Sequence, residues 1–282
     1  MMALLMPASS LQAPAQTLLP PGEPTPPGIA ELEKAGNWTG LADRFETFSP
    51  QQRGALVDLW MRSLNKAGRW ERLVQVSEAV NAQLDAKSGR PTLSPARFYR
   101  AQALSQLGRH RDAYAAWSEI GTLGTASGFV NAAEEARQIG SWDDLLNQSE
   151  ALLKVDPRNA AALGWKGEAM AKLEAYGDAE PVLRSALALD PKQPFAWSNL
   201  ARCLNERKAW QESLEACSQA LAQSPAMMEA HFNRGRALFE LKRYAEARDD
   251  FRAALAAKPG DVTSTENLRQ AELYAKASKT NR

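Results

Sequence analysis

Aromatic, small and apolar positions recur with a period of 34 residues through the stretch from 126 to 260. Four prolines, Pro157, Pro191, Pro225 and Pro259, mark the period. Fifteen residues before them stand Trp142, Tyr176, Trp210 and Tyr244. Small residues hold three further offsets: Gly167, Ala201 and Gly235 lie 24 before, Ala179, Ser213 and Ala247 12 before, and Ala186, Ala220 and Ala254 5 before. Self-similarity at a fixed period of this length marks a stacked repeat. Each period predicts two amphipathic helices joined by a short turn, the proline ending the second because its ring cannot continue the hydrogen-bond ladder. Glycine and alanine are expected where the helices cross, since a longer side chain would push the axes apart. One such unit cannot bury its apolar face alone, so stacking supplies the core.

Upstream the turn aromatic continues without the proline, as Trp38, Trp70 and His110, spaced 32, 40 and 32 up to Trp142. A short first pair is predicted over about 28–48, turning at GNWTGL, with Leu41, Phe45 and Phe48 on one face. A second spans about 50–86, with Ser49 as N-cap and Pro50 in the first turn. The stretch 85–95, DAKSGRPTLSP, is expected to be an exposed excursion. A third pair, 94–120, repeats the Ser-Pro start at Ser94 and Pro95, and 121–128, GTLGTASG, is expected as a glycine-rich linker. A fourth pair covers about 126–155. In the fifth, Pro181 requires either a helix that begins late, at Asp178, or a kink. A last helix, about 262–277, carries Leu268, Leu273 and Tyr274 on its covered face.

The stretches PFAWSNLARCLNERKAWQESLEACSQALAQSP (194–225) and HFNRGRALFELKRYAEARDDFRAALAAKP (231–259) resemble the tetratricopeptide repeat family. The first carries its tryptophan at Trp197, its leucine and small residue at Leu200 and Ala201, its alanine-class slot at Ser213 and its final proline at Pro225. Departures are Lys166 and Arg234 in a leucine slot and His231 in place of the tryptophan. The resemblance covers roughly 126–260 and weakens upstream. It implies an all-α, right-handed superhelical solenoid of stacked antiparallel helix pairs. The expected divisions are a proline-rich disordered tail (1–27), irregular repeat-like pairs (28–125), the regular array (126–260) and a capping helix with its tail (261–282).

Lysine plus arginine (34) nearly balance aspartate plus glutamate (33), so no global field favours nucleic acid or an anionic membrane. The opening MMALLM lacks a basic flank and ends at Pro7, which reads as a tail in a cytoplasmic protein, a degenerate export signal being the alternative. No apolar run reaches the length of a membrane span. Cys203 and Cys217, one on each helix of a single unit, are expected as buried free thiols. His110 and His231 sit in aromatic packing slots of different units, and no metal-ligand spacing occurs, so neither metal nor cofactor is expected. The adjacent pairs Asp143–Asp144 and Asp249–Asp250 read as solvated charges. Ser127 lies outside any nucleophile-elbow context. Nothing here points to an enzyme.

Seven of the eight tryptophans, Trp38, Trp60, Trp70, Trp117, Trp142, Trp197 and Trp210, occupy packing slots. Trp165 stands apart, 26 residues before Pro191, on the first-helix face that lines the inner curve of such a stack, in register with Asn199 and Asn233. One turn further on the same face lie Glu168, Arg202 and Arg236. Phe195 and Phe239 are expected to border it. Asparagine amides can pair with the backbone of an extended peptide, and arginines with its carboxylates. The resemblance thus implies a non-catalytic scaffold that binds a protein or peptide partner, with acidic residues in it, through these eight positions. The lysine and asparagine constellation with which co-chaperone members clamp a C-terminal carboxylate is matched only at Asn199. Self-assembly through the ends or convex face, with the groove incidental, is the alternative.

Overall fold

A computed structural model describes residues 28–280; the proline-rich stretch 1–27 lies outside the described residues. The chain divides into two compact units, one up to Ala113 and one from Tyr114. The first holds α1 (Ile29–Lys34), α2 (Trp38–Glu46), α3 (Pro50–Ala55), α4 (Val57–Lys66), α5 (Trp70–Ser88), α6 (Pro95–Gln106) and the start of α7 (His110–Thr122). The second holds the rest of α7, then α8 (Ala126–Ile139), α9 (Trp142–Val155), α10 (Ala160–Lys172), α11 (Tyr176–Leu189), α12 (Pro194–Glu206), α13 (Trp210–Gln223), α14 (Met228–Glu240), α15 (Tyr244–Ala257) and α16 (Val262–Thr280). There is no strand among the described residues. From α8 to α16 each helix packs on its sequence neighbour, and the first helices α10, α12 and α14 also touch in succession. This is the all-α class of stacked helix pairs.

One turn joins every pair. The residue two before each second-helix aromatic is left-handed: Gly36, Gly68, Gly108 and Gly140, then Glu174, Lys208 and Lys242 at φ 63–65°. The amide after it reaches back five residues, as in Asn37 to the Leu32 carbonyl (2.9 Å), Ala209 to Leu204 (2.8 Å) and Arg243 to Leu238 (2.9 Å). That is the glycine-type helix stop in which two otherwise orphaned carbonyls find donors. Upstream pairs irregular in sequence therefore share the turn of the regular ones. The three later units place a side chain where glycine would be unstrained.

Helix crossings sit at the small residues. A Cβ added at Gly167 would lie 2.5 Å from Leu183 Cγ, and one at Gly235 2.8 Å from a Phe251 ring carbon. The tightest approach revises the reading of 121–128 as a linker. Gly121 belongs to α7 and Gly128 to α8, and a Cβ at Gly128 would stand 2.1 Å from the Gly121 backbone nitrogen. Only Leu123, Gly124 and Thr125 connect the helices, and the glycines serve close packing of two backbones.

Further differences have local causes. Ser49 caps α3 as expected, accepting from Gln52 N while Gln52 accepts from Ser49 N, yet the expected single helix breaks at Leu56 (φ −120°) into α3 and α4. The stretch 85–95 is exposed at its middle but tied at its base. Thr92 N donates to Asp85 Oδ1 (3.2 Å), Arg97 Nε to the Thr92 carbonyl (2.8 Å) and Ser94 Oγ to Asn81 Oδ1 (2.7 Å), while Arg97 pairs with Asp85. The late start for α11 is also corrected. Its first turn closes at Ala179 N to the Ala175 carbonyl (2.9 Å) before Pro181, and the helix passes through the proline. On α16, Ala271 and Leu268 pack on Phe251, Ala247 and Leu238, whereas Leu273 is 67% exposed. Five residues carry Leu273 about 140° round the helix from Leu268, so the two cannot share a face.

Gly128→Ala is expected to lower stability by about 1–3 kcal/mol, because the obstructing atoms are backbone and cannot rotate away; an unchanged urea midpoint would show that the α7–α8 approach is slack. Lys242→Gly is expected to raise stability by a few tenths to about 1 kcal/mol, since relief of the left-handed strain exceeds the extra freedom of glycine in the unfolded chain. A lower melting temperature for that variant would contradict it.

Candidate functional site

On the first-helix side of the second unit lies a cavity of about 180 Å³. Arg137 of α8, Trp142 at the start of α9, Glu168 and Lys172 of α10, Phe195, Ser198 and Asn199 of α12 and Glu229 of α14 line it. Arg137 organises one wall. Its Nε donates to Glu168 Oε2 at 3.0 Å, a second nitrogen donates to Glu134 Oε2 at 3.0 Å, and its guanidinium lies 4.8 Å over the Phe195 ring. Glu168 is buried, and that burial pushes its carboxyl above the usual carboxylate range, against the pull of Arg137 and Lys172. Lys172 Nζ rests 5.3 Å over the Trp142 ring. Phe195 remains 49% exposed, an apolar surface at the rim of the cavity.

Of the residues read from the sequence, Glu168, Phe195 and Asn199 meet at this cavity. Asn199 Nδ2 donates to the Phe195 carbonyl of its own helix (2.9 Å). Asn233 is buried and bridges helices: its Nδ2 donates to the Ser198 carbonyl (3.1 Å), and its own carbonyl accepts from Asn205 Nδ2 (2.9 Å). Arg236 pairs with Glu206 (2.9 Å), and Arg202 donates to the Tyr176 hydroxyl (3.1 Å) with its guanidinium over that ring. Trp165 packs against the cluster of Ala133, Ala136, Leu145 and Ala169. Phe239 forms an edge-on trio with Tyr244 and Tyr274 at centroid separations of 5.2 and 5.4 Å.

Arg137, Lys172 and Ser198 escaped the sequence reading. The register could have found them, since Arg137 stands 20 before Pro157, the offset of Asn205 and Phe239, and Lys172 stands 34 before Glu206.

The acidic pairs are not both solvated. Asp249 is exposed, but Asp250 is buried and accepts from Arg234 through two bonds of 2.7 Å, with His231 Nδ1 at 2.9 Å. Adjacent residues on a helix point about 100° apart, so one carboxylate of each pair can turn inward. Asp144 likewise accepts from the Tyr114 hydroxyl (2.9 Å) and from Ser141 Oγ (2.6 Å). His231 fills the tryptophan slot chemically as well as sterically: its Nε2 donates to the Pro225 carbonyl at 2.9 Å, as Trp197 Nε1 does to Pro191. Cys203 and Cys217 are free and buried, and burial raises their thiols to about 11 and about 12. Among the described residues no three histidine, cysteine or acidic side chains gather as a metal site would need.

Known proteins show the same pattern. A tetratricopeptide repeat family profile matches residues 130–194, 176–227 and 210–262, and this part of the chain belongs to that family. No curated protein matches the sequence. Among solved structures the chain is similar to one in the APC/C hetero-tetramer Cut9–Hcn1, at 15% identity over 86% of this chain and 48% of that one, with a TM-score of 0.57. It is also similar to YrrB, described as a TPR protein with an unusual peptide-binding site (19% identity, 62% of this chain and 91% of that one, TM-score 0.48). The TPR domain of Arabidopsis OM64 matches at 27% identity over 40% and 93%, with a TM-score of 0.38. The first of these likenesses establishes fold.

Arg137→Ala should cost about 3–5 kcal/mol at pH 7, because it leaves Glu168 buried without its cation. With the folded pKa of Glu168 above its unfolded value, the protonated form is favoured in the fold. The deficit should therefore shrink as pH falls below the Glu168 titration and grow as pH rises through it. Urea midpoints at several pH values measure this, and a deficit independent of pH would contradict it.

Proposed function

We propose that the first-helix face of α8, α10, α12 and α14 binds an extended segment of a protein partner. Membership of the repeat family supports an interaction scaffold, and the repeat fold is in general a non-catalytic one. The observation that carries the reading is Phe195, half exposed beneath Arg137 at the edge of a cavity that Trp142 and several polar groups also line. An apolar side chain packed on that ring gains about 25 cal/mol per Å² removed from water. Hydrogen bonds to the partner's backbone each add about 1 kcal/mol net. A micromolar complex, roughly −8 kcal/mol, is thus within reach of one anchor and several bonds. Ser198, Asn199 and Glu229 supply donors and acceptors along the path. The acidic character expected of the partner is part of this reading.

A second reading rests on α16, where Val262, Leu273 and Tyr274 stay largely exposed. That helix could take a second copy of the chain. Light scattering over a concentration series decides it: a mass that rises with concentration for the wild type and not for Leu273→Glu supports assembly through α16.

Selection of blocked decapeptides on the full chain tests the first reading. The wild type should retain peptides sharing an apolar position, and Phe195→Ala should weaken them about tenfold or more. Retention unchanged by the substitution would place binding elsewhere.

A further inference from the structure

The ion pair between Glu206 and Arg236 joins α12 to α14 at 2.9 Å. Thirty-four residues earlier, the same two slots on α10 and α12 hold Lys172 and Arg202. Where the later interface holds opposite charges in these slots, this one holds a cation in each. At the interface before it, Glu168 is taken by Arg137 from the slot adjacent to Gln138. Neither Lys172 nor Arg202 has a carboxylate at ion-pair distance among the described residues. Each has instead turned onto the aromatic ring that begins the preceding second helix, Lys172 onto Trp142 (5.3 Å) and Arg202 onto Tyr176 (5.4 Å). Glu168, one turn from Lys172, already accepts from Arg137. A cation resting on an aromatic ring keeps attraction for an anion, Lys172 sharing the buried Glu168 with Arg137 and Arg202 having only a neutral hydroxyl besides its ring.

We infer that Lys172 and Arg202 form a subsite for the side-chain carboxylate of an acidic residue within the bound segment. The inference rests on the binding face proposed above and names the chemistry it selects. The position fixes the source of the carboxylate. Lys172 of α10 lines the cavity that runs from Arg137 of α8 to Glu229 of α14, and Arg202 stands on α12, the first helix packed next to α10. A segment seated there continues in both directions, so the carboxylate belongs to an internal Asp or Glu and not to a chain end. Entry of that group gives both cations the counter-ion that Glu206 supplies to Arg236 one repeat later.

The test is selection on the immobilised full chain of random decapeptides blocked at both ends, beside a pool with free C-termini, followed by sequencing. The wild type should enrich Asp or Glu at one position about tenfold, the order expected of a charge-assisted bond, equally from both pools. Lys172→Gln keeps a donor without charge and places no second anion beside the buried Glu168. It should still retain peptides through Phe195 while losing the acidic preference. Arg202→Gln, which keeps a donor without charge, should lose that preference independently. Acid enrichment that survives either substitution, an acid-free wild-type pool, or retention from the free-terminus pool alone would each overturn the subsite. If the wild type retains no peptide from either pool, the binding face itself is overturned, and the subsite with it.

Discussion

Helices can come this close only where a side chain is missing. At Gly167 and Gly235 the space a methyl group would need is filled by Leu183 and by Phe251, and at Gly128 by the backbone of α7. These contacts set the separation of each helix pair. The separation sets the repeat, and the repeat brings residues 34 apart in sequence to equivalent places on successive first helices. Leucine and phenylalanine can fill the gaps completely only because the crossing residues are small, which is why Leu183, Phe251 and Leu145 have almost no exposed surface. The face that α8, α10, α12 and α14 share follows from that packing.

Polar groups on this face divide into those the fold uses and those it leaves over. Asn205 and Asn233 satisfy carbonyls across the α12–α14 interface, and Arg137 neutralises Glu168. Buried amides without such partners would be costly, so these side chains are committed to holding neighbouring repeats in register. Phe195, Lys172, Arg202 and Glu229 are less fully committed. Their surplus of apolar surface and unneutralised charge is what makes this stretch a candidate for recognition, whereas Trp165 and Phe239 are absorbed by packing.

The fold was legible because repetition amplifies weak signals. A single proline or alanine says little, but four prolines in register marked where the second helices of the second unit end, and Ser49 and Ser94 marked two upstream starts through their caps. Glycine was the ambiguous letter. In 121–128 composition alone suggested a linker, since a glycine that turns the chain and one that admits a neighbouring helix look alike in sequence. Side-chain partnership was less visible still. Asp250 looked like Asp249, and the role of Asn233 depended on which carbonyl the stack brought beside it. Periodicity tells which residues share a face, but their hydrogen bonds depend on rotamers that only the packed neighbour decides.

The central claim is that recognition occurs on the first-helix face of the second unit. Hydrogen–deuterium exchange of the full chain, with and without a saturating selected peptide, tests it most directly. Slowed exchange confined to α8, α10, α12 and α14 is the predicted result. Protection confined to α16 or to the second helices α9, α11, α13 and α15, with the first helices unchanged, would contradict it.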